Sequence, residues 1–175
     1  MAEATLNKNM IEGQIKPING MSEELLSVFY SLDRNDFMPE AMKEMSYVEK
    51  NIILQDKRTI LKPSLIAQIA LSINLKANEN VLILGSTTGY LSAILSHLAE
   101  TVIVVEENER LLSNSENAIK KNNINNVVFM KNEIVKGYDE QSPFNAIIIE
   151  GAIQEVPLNI IAVSYTHLTL PTILL

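Results

Sequence analysis

Apolar positions along the chain follow two rhythms. In the first third they recur at helical spacing: Leu25, Leu26, Phe29 and Leu32 share one side of a segment that Ser22 opens and whose first turn carries Glu23 and Glu24. A side-chain oxygen at the cap, with acids against the positive end of the helix dipole, predicts an amphipathic packing helix. Phe37-Met38-Pro39 closes that region, and Pro63-Ser64 opens a second helical pattern with Leu65, Ile66, Ile69, Ala70 and Ile73 on its buried face. Beyond it the rhythm changes. Short uninterrupted apolar runs at residues 80–84, 101–105, 126–130 and 146–149 predict four strands. Gly85-Ser86-Thr87-Thr88-Gly89 stops the first, Ile94, Leu95 and Leu98 resume helical spacing behind it, and residues 111–121 predict a polar-faced helix. Alternation is lost when both sides of a strand are covered. The pattern therefore predicts an α/β fold: a doubly wound, mostly parallel sheet with helices on both faces and a helical N-terminal cap.

The expected organisation is a cap at residues 1–62, an α/β core at 63–161 and a terminal stretch at 162–175 that holds no Asp, Glu, Lys or Arg. Taken alone, residues 163–170 have the β-branched and aromatic content of a strand that Pro171 would end. Residues 162–172 also resemble the in-frame translation of a sequencing adapter, so 162–175 is expected to be a non-native tail in which Tyr165 and His167 carry no function. With 175 residues and 47% hydrophobic content the chain can bury one domain's core. A net charge of −7 makes nucleic acid and anionic membranes poor partners. The absence of cysteine removes disulfides, thiolate metal sites and cysteine nucleophiles, and with two histidines, His97 and His167, no metal site is expected. No apolar run reaches the ~18 to 20 residues of a membrane span. The start, Met1-Ala2-Glu3-Ala4, lacks the basic and apolar regions of a signal peptide, so a cytoplasmic location is the expectation.

In a doubly wound sheet, ligands bind beyond the carboxyl ends of the strands, and the first strand supplies the glycine turn. Gly85, Ser86 and Gly89 stand there, and Glu106 follows at the end of the second strand, where a carboxylate accepts hydrogen bonds from ribose hydroxyls. Glu133 follows the third strand on the same edge. Taken singly, each glycine is an ordinary turn and Glu106 a solvated acid at a helix start; in this order they point to a nucleoside site. A dinucleotide fingerprint needs glycine at Thr87 and a small residue at Tyr90. Both positions fail. A nucleoside cofactor without a pyrophosphate tolerates the looser turn, which favours S-adenosyl-L-methionine over a nicotinamide dinucleotide.

These residues resemble the protein-L-isoaspartate O-methyltransferase family from about Met10 to Ile160. Asn9-Met10-Ile11 with Gln14-Ile15 is similar to the family's opening, and Asp36-Phe37-Met38-Pro39 to its F-V-P signature. Val81-Leu82-Ile83-Leu84-Gly85-Ser86-Thr87-Thr88-Gly89-Tyr90 resembles its V-L-E-I-G-T-G-S-G-Y cofactor motif, with Val105-Glu106 at the ribose acid. Asn132-Glu133-Ile134 through Gly137 aligns with G-D-G-x-x-G, the run from Pro143 to Ile149 with P-F-D-A-I-I-V, and Pro157 with a proline after that strand. The resemblance implies a Rossmann-like methyltransferase sheet that uses S-adenosyl-L-methionine to esterify isoaspartyl carboxylates of damaged proteins. It also implies later strands, up to seven, for which residues 157–161 leave no room, so an uncovered edge beside the fourth strand is expected.

Departures from the family fall at informative places. Ile83 replaces the cofactor motif's acid and Thr87 its middle glycine. Arg58-Thr59-Ile60-Leu61-Lys62-Pro63 aligns with Q-T-I-S-Q-P, whose serine belongs to the active site; Leu61 has no hydroxyl, which leaves Thr59 as the candidate catalytic hydroxyl and Lys62 as a cation able to meet an acidic substrate. The alternative is a divergent or non-catalytic relative that binds the nucleoside without isoaspartyl repair. Methyl transfer to a carboxylate needs no strong base, only positioning, which agrees with the lack of any His–Asp or Ser–His arrangement.

Overall fold

The computed structural model describes residues 2–138, 140, 142–151 and 160; the expectations for Pro157 and the 162–175 tail lie outside them. The cap begins with α1 (Ala2–Met10), a π-helical turn (Ile11–Ile15) and α2 (Glu23–Ser31), whose Ser22 accepts a hydrogen bond from the Leu25 amide as a helix cap. Leu25, Leu26, Phe29 and Leu32 are all buried, as the helical spacing requires. The rest of the cap differs from the wholly helical expectation. After short helical turns it folds into an antiparallel hairpin, β1 (Ile52–Ile53) and β2 (Thr59–Ile60), with Ile52 opposite Ile60 and both buried. Lys57, at φ +63, makes the turn. These strands are two residues long, too short for periodicity to register, and they hold only because tertiary packing covers the two isoleucines.

The core runs α3 (Pro63–Ile73), β3 (Asn80–Leu84), α4 (Tyr90–Ser96), β4 (Thr101–Glu106), α5 (Glu109–Lys121), β5 (Val127–Lys131) and β6 (Ala146–Ile149). Among the described residues four parallel strands pair in the order β5-β4-β3-β6. Successive side chains of β3 and β4 point to opposite faces. Val81, Ile83, Val102 and Val104 join the cap residues Met10, Ile11, Ile15 and Phe29 in one cluster, while Leu82, Leu84, Ile103 and Val105 pack with Phe144 on the other. Both faces are covered, which is why these strands are apolar at every position. β5 departs from that expectation: it is an edge strand, and Val128 is exposed.

The chain steps outward from β3 to β4 to β5, then returns to place β6 on the other side of β3. This reversal makes a crevice at the carboxyl ends of β3 and β6. Leu84 is level with Val105 on one side and with Ile149 on the other, so the residues that follow these strands emerge together.

Candidate functional site

Gly85 leaves β3 at φ +85, a left-handed conformation that L side chains rarely adopt. Space forbids a side chain there too: an added Cβ would lie 2.8 Å from Arg58 Nη2 and 3.1 Å from the Glu150 carbonyl oxygen. The next amide, Ser86 N, donates to Glu106 Oε2 at 2.7 Å. Gly89 has φ +82 as well, and the space its missing Cβ leaves is taken by Ser115 of α5, with three atoms at 3.2 Å. Gly85 therefore faces the sheet edge, whereas Gly89 lets two helices meet.

Glu106 is fully buried at the tip of β4. Its Oε1 accepts from Asn108 N at 2.8 Å and from Arg58 Nη1 at 3.1 Å; its Oε2 accepts from Ser86 N and, at 2.8 Å, from Arg58 Nη2. Asn108 in turn caps α5 through the Arg110 and Leu111 amides, so the helix start fixes one of the donors to the acid. Arg58 arrives from the hairpin and is mostly buried over the turn. A guanidinium fork and a ribose present the same thing to a carboxylate, two hydrogen-bond donors side by side. Arg58 thus satisfies the oxygens that a vicinal diol would use.

On the far side of β3, Glu150 directly follows β6. Its amide donates to Leu84 O at 2.9 Å, and its Oε1 accepts from Thr87 N at 3.2 Å. Glu150 is buried, and among the described residues its Oε2 has no hydrogen-bond partner. Burial pushes its carboxyl up to about 7, against the pull of the Thr87 hydrogen bonds and of Arg58. Deeper still, Arg34 is buried with one hydrogen bond, Nη2 to Leu61 O at 2.6 Å, and lies 5.2 Å from the centre of the Tyr90 ring.

The remaining sequence-derived candidates are arranged as follows. Thr59 touches the glycine turn through its carbonyl oxygen, which accepts from Thr87 Oγ1 at 3.2 Å. Leu61 points into the apolar cluster shared with the cap. Lys62 pairs with Glu49 at 3.0 Å. Glu133 is exposed and paired with Lys136 at 2.6 Å; its neighbour Ile134, not the acid, approaches the Gly85 turn. Gly85, Ser86 and Glu106 therefore meet at one point, while Gly89 and Glu133 stand apart from it. A separate concavity of about 660 Å³ on the cap, lined by residues such as Asn7, Glu12 and Tyr30, contains none of these candidates.

Sequence reading missed two residues of the site. Arg58 entered only as the start of an aligned loop, because nothing local says that a hairpin carries it 48 positions forward to Glu106. Glu150 had a visible signal: an acid directly after an apolar strand run, the same placement as Glu106.

A switch-point crevice whose first glycine turn hydrogen-bonds a buried acid at the tip of the adjacent strand defines a Rossmann-like fold of the class I methyltransferases. Comparison with solved structures agrees. A protein-L-isoaspartate O-methyltransferase superposes with TM-score 0.76 at 20% identity over 93% of this chain and 52% of its own. A Plasmodium falciparum protein of that description, solved with S-adenosyl-L-homocysteine, gives 0.72 at 21% identity over 93% of this chain and 79% of its own. In sequence, the family model for protein-L-isoaspartate(D-aspartate) O-methyltransferase matches residues 5–163. The chain belongs to this family. The Geobacter metallireducens protein-L-isoaspartate O-methyltransferase is 30% identical over 150 residues, 86% of this chain and 69% of the relative. The Syntrophobacter fumaroxidans protein-L-isoaspartate O-methyltransferase 1 is 27% identical over 148 residues, 85% of this chain and 69% of the relative. The chain spans 63% to 70% of the length of the curated relatives it matches first. Among the described residues no helix is long and apolar enough to cross a membrane.

Proposed function

We propose that this chain binds S-adenosyl-L-methionine across the carboxyl ends of β4, β3 and β6 and directs its methyl group to the carboxylate of isoaspartyl residues in proteins. The observation that carries this reading is Glu106, a fully buried carboxylate held by the Ser86 and Asn108 amides beside the Gly85 turn. The residues fit the cofactor. The space over Gly85 that a Cβ would fill is held by a guanidinium, and the acid already engages a donor that offers two N–H groups side by side, as a vicinal diol offers two O–H groups.

When bound, the cofactor supplies a methyl group on a sulfonium, to which a carboxylate oxygen adds while the carbon–sulfur bond breaks and its electron pair stays on sulfur. The chain's own task is positional. Glu106 would accept from the ribose hydroxyls, Ser86 N keeps its carboxylate aimed, and Arg58 would have to withdraw to admit the sugar. Glu133 lies on the loop after β5 and is paired with Lys136, so a part in holding the nucleoside would require that pair to open. Thr59 meets the glycine turn through its carbonyl oxygen, and Lys62, paired with Glu49, follows it at the start of α3. Leu61 contributes an apolar wall and no hydrogen bond, which favours a second reading in which the nucleoside binds without isoaspartyl repair.

Calorimetry with S-adenosyl-L-methionine, followed by methyl transfer to an isoaspartyl peptide, separates the readings. Binding with turnover supports the enzyme, and heat without turnover supports the binding module. No heat rejects both. In the binding assay Glu106→Gln is expected to weaken affinity roughly 10- to 100-fold, from the loss of charge-assisted hydrogen bonds worth about 1.5–3 kcal/mol.

A further inference from the structure

Glu150 carries a feature the methyl-transfer scheme does not use. A buried carboxylate normally has every oxygen satisfied, yet among the described residues Oε2 of Glu150 accepts no hydrogen bond. The residue stands across β3 from Glu106, with its carbonyl against Gly85 and its Oε1 on the Thr87 amide of the same turn. Strands β4 and β6 flank β3, so the two acids are separated by about two interstrand spacings, roughly 10 Å. That is the span of a nucleoside with a short arm. The family motif's acid on β3 is absent here, where Ile83 is fully buried among apolar side chains. β3 carries Ile83 where the family motif has an acid, and the neighbouring β6 is followed by a carboxylate with an oxygen unpartnered among the described residues.

We propose that Glu150 is the anionic partner of the cationic arm of the bound methyl donor. This rests on the cofactor reading above. Two cations lie on that arm, the sulfonium and the α-ammonium, and the free Oε2 offers a lone pair to either. The charged groups that face Glu150 are Arg58 from the hairpin, Glu106 from β4 and Arg34 from the cap, and Thr87 supplies the hydrogen bonds from the turn. Arg58 is tied to Glu106, and Arg34 donates to Leu61 O and lies against the Tyr90 ring, so among the described residues neither cation hydrogen-bonds Oε2. The elevated carboxyl of Glu150 agrees with an acid that waits for a cation.

Calorimetry on the wild type and Glu150→Gln with three probes tests the assignment: S-adenosyl-L-methionine, S-adenosyl-L-homocysteine, which keeps the ammonium but not the sulfonium, and 5′-methylthioadenosine, which has neither. Affinity of the variant for S-adenosyl-L-methionine is expected to fall at least tenfold, with 5′-methylthioadenosine unchanged within twofold. An equal fall for S-adenosyl-L-homocysteine identifies the ammonium as the partner, and none identifies the sulfonium. Unchanged affinity for all three, or an equal loss for 5′-methylthioadenosine, overturns the proposal. Should the variant fail to fold, the wild type alone decides. Binding of S-adenosyl-L-methionine at pH 7, measured in two buffers of different ionisation enthalpy, is expected to release a fraction of a proton, and no release overturns the assignment. A wild type that binds 5′-methylthioadenosine but gains nothing from the charged arm removes this inference and leaves the nucleoside site intact. A wild type that binds none of the three removes the cofactor reading and this inference with it.

Discussion

The Arg58 guanidinium and the vicinal hydroxyls of a ribose ask for the same carboxylate oxygens. Glu106 accepts four hydrogen bonds, two of them from Arg58, so nucleoside binding exchanges an internal ion pair for an external diol. Arg58→Gln, the residue of the aligned family motif, is expected to raise affinity for S-adenosyl-L-methionine by about tenfold while lowering stability by about 1–3 kcal/mol, because a buried charge loses its partner. Calorimetry and thermal melts without ligand check the two opposite signs. A weaker affinity would mean that Arg58 contacts the cofactor instead. Glu150 makes the second residue-scale prediction. Its folded carboxyl near 7 keeps a proton that an ordinary carboxyl at 4.5 releases, so the folded state binds more protons between these values. Stability therefore falls as pH rises through that window, by about 3 kcal/mol in all, and levels off above it. Glu49 and Glu109, held below the ordinary value by Ser64, Lys62 and Lys131, act at lower pH and do not mask the effect. Urea unfolding from pH 5 to 8 is expected to show this slope in the wild type and a flatter one in Glu150→Gln. Glu106 was legible from its spacing after the glycine turn. Its occupancy by Arg58 was not, since side-chain partners distant in sequence leave no local pattern.

Among the elements, the two glycines of the β3–α4 turn look alike in sequence and differ in structure. Gly89→Ala meets both a left-handed backbone and Ser115 atoms at 3.2 Å, so a loss of about 1–3 kcal/mol is expected. Gly13, in the helical turn after α1, has nothing within 4 Å of an added Cβ, and Gly13→Ala is expected to be neutral or stabilising by up to about 1 kcal/mol. Chemical denaturation of both variants provides the comparison, and equal effects would contradict it. Helices α2 to α5 and the long strands were legible because period and caps are local properties: Ser22 does cap α2, and residues 80–84 and 146–149 are strands as expected, whereas α1 was not anticipated. The β1–β2 hairpin was not legible, because two-residue strands are selected by the surface they cover.

For the whole molecule, the decisive feature is a single apolar cluster that joins Met10, Ile11 and Phe29 of the cap to Val81, Ile83 and Val104 of the sheet. Arg34 of the cap, held by Leu61 O, adds a contact to the Tyr90 ring of α4. Cap and core are therefore expected to unfold together: urea transitions followed by circular dichroism and by tyrosine fluorescence should coincide, and separated midpoints would show two independent units. The sequence alone determined the parallel α/β architecture, the glycine turn and the order in which acids follow the strands, because these depend on near neighbours and on burial of whole runs. Only the tertiary structure decided that Arg58 closes over Glu106, that Gly89 serves helix packing, and that Glu150 lies at the crevice with an unused oxygen. Those facts depend on which distant segments share a surface, and the energy of a buried charge is set by all the groups around it rather than by its place in the chain.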